Sequence, residues 1–458
     1  MSNSSPMTQL SSRNAAYIVM NTKFVLFALL LLLGLPAWSQ ITNGGIFSGG
    51  SDQAMMAPPP VSIGGDSVAF TSELERSNYL RGGVSVQGSY NDNIFTGTST
   101  EGDANYTISP YIAIDISRSR LAWNLDYSPG FTIYQKFRAF DQTDHTLSTG
   151  LQYLLSPHVA ISFQDSLAKE PSFQSVLEPT SVNNPSNTLQ NPNFAIIPPL
   201  TNTLNNNANG QLTYQFARNA MIGVQGDSSE LRFLNGVQAQ GLFDSSERGG
   251  GAFYAHRLGA KHYIGVNYNF ADIVTHPIEV ATQVHTADMF YTFYLSKRIS
   301  ISVSGGAQHS ETQGGGVPLL ESWSPTEGGG FHLQGIHNSA ALTVSHSINS
   351  GGGLQGAVHS YGVNFSVRHQ FSPHLTGGVE TSYSNNELLD TSSQLGSSGR
   401  TLILNATLQR ALGQHLNAEL GYSRIHQRYE DVATVANTPD SDRGWIMISY
   451  EFERPLGR

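Results

Sequence analysis

Hydrophobic side chains in this chain recur at every second position. Met289, Tyr291, Phe293 and Leu295 alternate with other residues, the run breaks at Ser296-Lys297-Arg298, and alternation resumes at Ile299, Ile301 and Val303 with Ser300, Ser302 and Ser304 between them. A period of two sends successive side chains to opposite faces of a strand. Two such runs joined by a few polar residues predict a hairpin. One face of the second run is apolar and the other carries hydroxyls; in the first run Phe290 and Tyr294 interrupt the second face.

The same unit recurs along the chain. Val84, Val86 and Tyr90 open a first strand; Tyr106, Ile108, Ile112, Ile114 and Ile116 make a second; Leu121, Trp123, Leu125, Tyr127, Phe131 and Ile133 a third, with Ala122, Asn124, Asp126, Ser128 and Gly130 on its other face. Later strands show the same alternation at Ile264–Phe270, Leu342–Ile348, Tyr361–Val367, Leu402–Leu408 and Leu416–Tyr422. The segments run ten or more residues, longer than the roughly five to six of a soluble strand and matching the roughly nine to eleven of a membrane strand. Short turns are expected at 117–120, 156–158, 217–219, 257–261, 296–298, 337–339, 372–374 and 411–415, and longer polar connections at 241–248, 311–318, 385–400 and 429–443. Short turns on one rim and long loops on the other are the asymmetry of an outer-membrane barrel. Eight short turns join strands in pairs, and a single strand at each end brings the expectation to about 18, with 16 as the alternative count. The fold class expected is all-β: one transmembrane, antiparallel, up-and-down β-barrel over 81–458. Glycine runs blur the strands near 249–257 and 321–333.

The N-terminus reads differently. Lys23 precedes an apolar run from Phe24 to Leu35, Pro36 breaks it, and Ala37-Trp38-Ser39 supplies small residues where signal peptidase cuts. A run of about a dozen apolar residues suits a signal peptide and is short for a membrane helix. Residues 1–39 are expected to be a cleaved export signal, with Met20 as the more typical start. Residues 40–80, rich in Gly, Ser and Pro, are expected to be a flexible periplasmic lead-in.

Composition narrows the chemistry. Lys+Arg is 24 against Asp+Glu 34, a net charge of −10, which argues against nucleic acid. There is no cysteine, which excludes disulfides, thiol nucleophiles and a lipidated N-terminal Cys. The 15 histidines are scattered, many in turns or near rims, with no pair at ligand spacing on a common face, and no nucleophile elbow stands out. The glycine runs lack a following Lys-Ser/Thr and are read as loops or bends rather than phosphate cradles. No cofactor, metal or catalytic site is expected, and the chain is read as no enzyme.

Function should then lie inside the barrel. Parity places Asp115, Asn124, Asp126, Asn267, Asn269, Asn364, Arg368, Glu380, Asn417, Glu419 and Glu451 on the inner wall, a set in which carboxylates outnumber the one arginine and bias a pore toward cations. The connection 171–209, rich in Asn, Pro and Ser, follows the fifth strand and is the third long loop. General porins fold their third long loop into the lumen. Here Glu178 is the one charge, and Phe194, Ile196 and Ile197 form an apolar patch suited to packing on an inner wall.

Two stretches resemble known patterns. The terminal strand, with Trp445, Ile446, Ile448, Tyr450 and Phe452, resembles the C-terminal signal read by the barrel-assembly machinery, although Glu453–Arg458 follow it. The opening Val84–Phe95, with Tyr90-Asn91-Asp92-Asn93-Ile94, resembles the first strand of a family of outer-membrane β-barrel porins, some of which accompany exopolysaccharide-export or exosortase systems. The resemblance implies an outer-membrane location, lipid and assembly-machinery partners, and in some members polysaccharide-export partners. The expected function is a porin-like channel for passive or weakly selective diffusion of small hydrophilic solutes. The alternatives are an accessory barrel for exopolysaccharide export and a closed structural barrel without transport.

Overall fold

Alternation of this kind can satisfy every backbone hydrogen bond only if the sheet has neighbours on both sides, and here it closes on itself. The computed structural model describes residues 78–95, 100–171, 201–234, 242–315, 317–389, 398–430 and 440–456. The expected signal segment, nearly all of the lead-in and most of the 171–209 connection, with Glu178, Phe194, Ile196 and Ile197, lie outside the described residues.

The strands are β1 (Tyr79–Asn91), β2 (Asp103–Ser117), β3 (Leu121–Tyr134), β4 (Gln142–Ser156), β5 (Val159–Pro171), β6 (Asn202–Ala217), β7 (Ala220–Phe233), β8 (Asp244–Arg257), β9 (His262–His276), β10 (Val280–Ser296), β11 (Ile299–Gly314), β12 (Val317–Gln334), β13 (Asn338–Ser350), β14 (Ala357–Ser372), β15 (Leu375–Leu388), β16 (Ser398–Ala411), β17 (Leu416–Glu430) and β18 (Asp440–Pro455). Each pairs antiparallel with the next, and β18 pairs with β1, from Tyr79 opposite Pro455 to Asn91 opposite Arg443. The result is a closed up-and-down barrel of 18 strands. The blurred glycine-rich segments are strands β8 and β12.

All eight short turns fall on one rim, which the two ends of the barrel share. The turn expected at 337–339 lies at 335–337. The other rim is less uniform than expected. The connection expected at 311–318 is a two-residue hairpin, because Gly314 and Gly315 take positive φ values (100° and 63°) and β11 turns directly into β12. The loops expected at 241–248, 385–400, 429–443 and 171–209 are shorter than expected, since residues 244–248, 385–388, 398–400, 440–443 and 202–209 are paired strand. Above the apolar zone these strands are polar on both faces, so alternation stops while the hydrogen-bond ladder continues.

Burial separates the faces. Val84, Val86, Ile108, Ile112, Phe131, Val224, Val266, Met289, Val303, Val344, Leu420, Ile446 and Ile448 are exposed, whereas the alternate positions are buried or half-buried. The exposed set forms an apolar belt round the outside. At about 25 cal/mol per Å² of apolar surface, such a belt is costly in water and is matched by lipid. Histidines paired with aromatic rings flank the belt. Towards the long-loop rim Tyr127 meets His145 at 3.0 Å, Tyr268 meets His285 at 2.8 Å, and the rings of His346 and Tyr361 stack 4.0 Å apart. Towards the short-turn rim Tyr254 meets His256 at 3.0 Å and His262 meets Tyr291 at 2.6 Å.

Candidate functional site

The inner wall has two unlike arcs. One runs through β14–β18 and on through β1–β3, which are contiguous in the closed sheet. Near the short-turn rim, Arg81 of β1 donates from Nε to Asp115 Oδ2 at 2.5 Å, and its Nη1 lies 4.0 Å from Glu451 Oε1. Asp126 sits in the field of the same guanidinium and accepts from Asn124 Nδ2 at 3.5 Å. On the other side of β18, Glu419 Oε1 accepts from the indole Nε1 of Trp445 at 3.1 Å. Arg368 lies in the field of Glu380 and Glu419. Asn364 Oδ1 accepts from Ser382 Oγ at 2.7 Å, and Asn417 is half-buried at the short-turn end of β17, apart from them. One arc thus brings together Asp115, Asp126, Glu380, Glu419 and Glu451 around two guanidiniums.

Asn267 and Asn269 stand apart, on β9. Asn267 Nδ2 donates to Asp288 Oδ2 at 3.2 Å, and Asn269 Oδ1 accepts from Gln225 Nε2 at 2.8 Å. Around them the wall is amide, hydroxyl and apolar ring: Met221, Phe253, Ala255 and Phe290 are buried together, with Tyr263 against them. This accounts for the aromatic residues on the second face of the 289–295 run.

Both arcs hold their rings by the same device. Phe290 lies opposite Gly265, and Trp445 opposite Gly421. A Cβ on Gly265 would stand 2.2 Å from Phe290 Cζ, and one on Gly421 would stand 2.0 Å from the Trp445 ring. Each ring lies flat on the wall because its neighbour has no side chain. In the charged arc this fixes the indole N–H on Glu419.

The long-loop end is narrower. Asp103 accepts the backbone N–H of Lys136 at 3.0 Å and of Phe137 at 3.1 Å, drawing the 135–141 connection onto the start of β2. Asn91 Oδ1 accepts from Asn93 N–H and from Ser441 Oγ, both at 2.8 Å. These anchors carry Ile94, Phe95, Phe137 and Phe140 into a cluster with Tyr134, Leu231, Phe233, Ile403 and Ile425. Leu231 on β7 and Ile403 on β16 stand half-way round the barrel from each other, so the cluster spans the mouth.

A second intrusion comes from the β13–β14 hairpin. β12 pairs with β13 only from Glu327 to Gln334, although it pairs with β11 up to Val317. Beyond His346, β13 leaves the cylinder. Its Ile348 N–H donates to Gln308 Oε1 on the inner face of β11 at 3.2 Å, and Gly353 O accepts from Phe243 N–H at 3.0 Å. Ile348 and Ala357 pack with Ile273 and Val284 of β9 and β10, while Leu354 and Val358 pack with Leu388 and Tyr429. Ile348 belongs by parity with Leu342 and Val344, yet it is buried inside the mouth.

Among the residues that sequence reasoning passed over, Arg81 and Asp288 had a signal. Arg81 shares the parity of Ser85 and Gln87, and Asp288 that of Phe290. The ring-on-glycine pairs and the inward hairpin had none, since each depends on a partner strand. Among the described residues no group of three or more His, Asp or Glu side chains could hold a metal ion.

No protein-family model matches the sequence, and no curated protein sequence matches it. Solved structures with similar architecture include the outer membrane protein OpdK from Pseudomonas aeruginosa, at 10% identity over 82% of this chain and 99% of that chain with a TM-score of 0.40. Acinetobacter baumannii OccAB4 is 9% identical over 84% of this chain and 100% of that chain, TM-score 0.40, and Pseudomonas aeruginosa OprD is 9% identical over 83% and 96%, TM-score 0.39.

Proposed function

We propose that the chain is an outer-membrane, porin-like channel that passes small hydrophilic solutes and favours cations. The observation that carries this reading is the contrast between the two faces of the closed barrel: an apolar belt outside, and inside an arc with five carboxylates around Arg81 and Arg368. A barrel of about 16–18 strands is wide enough for an aqueous channel. An excess of fixed negative charge along a low-dielectric wall raises the local cation concentration.

Purified protein in planar bilayers under a salt gradient tests it. Discrete conductance steps with a cation-selective reversal potential are expected; steps with anion selectivity would remove the charge assignment, and silence would remove the channel. The apolar clusters across the mouth favour one competing reading, a barrel closed at its outer end. A barrel closed there gives no steps until the mouth clusters are cut back, for example by Phe95→Ala with Phe140→Ala.

A further inference from the structure

Among the described residues the longest unpaired strand edge lies along β12. Residues 317–326 of β12 have β11 on one side and, among the described residues, no backbone ladder on the other. The strand that should fill that side, the upper end of β13, lies inside the mouth instead. That edge begins at the level of His346 and Trp323, the latter 73% exposed and its ring 4.7 Å from His309. That is the edge of the apolar belt, above which water can satisfy open backbone groups; an open edge inside the hydrocarbon zone would not be tolerated.

We propose that the β13–β14 hairpin is a displaceable stopper with two seats: the inner face of β8–β11, where it sits in this structure, and the open edge of β12. The proposal rests on the channel reading above and adds how the channel is regulated.

The inner seat is held by side-chain contacts and one bridge, with no ladder to β8–β11. Gly353 bridges Phe243, Gln308 Oε1 accepts from Ile348 N–H, and the Glu247 carboxylate accepts from Ser350 N–H. Two apolar clusters close over the tip, Ile348 and Ala357 with Ile273 and Val284, and Leu354 and Val358 with Leu388 and Tyr429. The tip is rich in glycine, and Gly352, Gly353 and Gly356 have positive φ values of 50°, 106° and 111°, a region that glycine enters and leaves at little cost.

The outer seat fits the same segment. The existing register sets Glu327 opposite His346. Continued one for one, it sets Thr326 opposite Ser347, Pro325 opposite Ile348 and Trp323 opposite Ser350. Parity then turns Ile348 outward beside Pro325, in line with Leu342 and Val344, and the ladder gained offsets the packing lost inside. Two arrangements of one packed element, each satisfying its polar groups, are what a two-state switch needs. In the outer seat the apolar group Ile348, Leu354 and Ala357 leaves the mouth, and the passage widens.

The chain has no cysteine, so introduced pairs can be read without background. Val284→Cys with Ile348→Cys should lock the hairpin inside; Pro325→Cys with Ile348→Cys should lock it in the wall. Both are made in the full chain, checked for folding by heat-modifiable migration under reduction, reconstituted in bilayers and oxidised. The inner lock is expected to hold conductance at or below that of the unmodified protein. The wall lock is expected to form and to raise conductance at least threefold, with both effects reversed by dithiothreitol. If the inner pair cross-links and the wall pair does not, or if the wall lock forms in a conducting protein without raising conductance, the stopper is overturned. If the wall lock forms and no preparation conducts, the channel reading fails while the hairpin's two seats stand.

Discussion

The arc running from β14 to β18 and on through β1 to β3 and the arc from β7 to β10 are built alike, yet only the first sets guanidiniums among its carboxylates on the inner wall. Each lays an aromatic ring on a glycine of the next strand: Trp445 on Gly421, Phe290 on Gly265. In the first arc the ring carries an N–H, which holds Glu419 within a field of carboxylates. In the second the rings are hydrocarbon; Asn267, Asn269 and Gln225 supply neutral amides beside Asp288, and Asp227 and Glu247 lie nearer the long-loop rim on the same inner face. The wall is therefore one mechanical design with its inner ion pairs placed on one side. A solute crossing it meets a face of carboxylates set against guanidiniums and a face of amides and rings with Asp227, Glu247 and Asp288 among them.

The largest expected effect comes from breaking the shared design. Gly421→Leu and Gly265→Leu each drive a side chain into a ring that has nowhere to go. Overpacking of this kind costs about 1–3 kcal/mol or more, and the heat-modifiable folded band should be lost or weakened. Combining Gly421→Leu with Trp445→Ala should restore it; failure of that rescue would show that the glycine serves something other than the ring.

Next comes the difference between the arcs. Neutralising Asp126, Glu380 and Glu419 as D126N/E380Q/E419Q should lower the cation-to-anion permeability ratio by about threefold or more, since selectivity follows the sign of wall charge. Asn267→Ala with Asn269→Ala should leave that ratio within experimental error. Equal shifts from both sets would erase the distinction between the arcs.

Smaller is the effect of Arg81→Ala. It removes the cation that neutralises Asp115 and Glu451, so the reversal potential should move toward greater cation preference, by about twofold in permeability ratio. The smallest is Trp445→Phe, which keeps the ring on Gly421 and removes only the bond to Glu419. A loss of about 0.5–1.5 kcal/mol is expected, read as a lower unfolding midpoint in urea with near-normal selectivity.

These arcs also show what a sequence of this type reveals. Strand number, the short-turn rim and the parity of residues such as Asp115, Asn124 and Glu419 were legible, because a face turned to lipid must be apolar at every second position. The tops of the strands were not. Residues 202–209 are asparagine-rich on both faces and pair all the same, with Asn206 Nδ2 on Asp165 Oδ1 at 3.0 Å. Nor was the bend of β13, since Ile348 keeps the alternation of Leu342 and Val344 and is drawn inward by Gln308, Ile273 and Val284, all distant in sequence. Periodicity reports what a residue faces locally; it is blind to where a whole hairpin tip is carried.

The ring-on-glycine contacts also constrain how this barrel can vary by descent. At Gly265 and Phe290, or Gly421 and Trp445, neither partner can change first without harm: a side chain gained at the glycine collides, and a ring lost opposite leaves a hollow. Such couples drift only as a unit, through a brief passage in which the ring shrinks before the glycine grows. The charged groups nearby are coupled through ion pairs and hydrogen bonds, such as Arg81 to Asp115 and Trp445 to Glu419, and not through a steric collision. A lineage could therefore retune the sign of its inner wall one residue at a time while the staves that carry it stay locked in pairs.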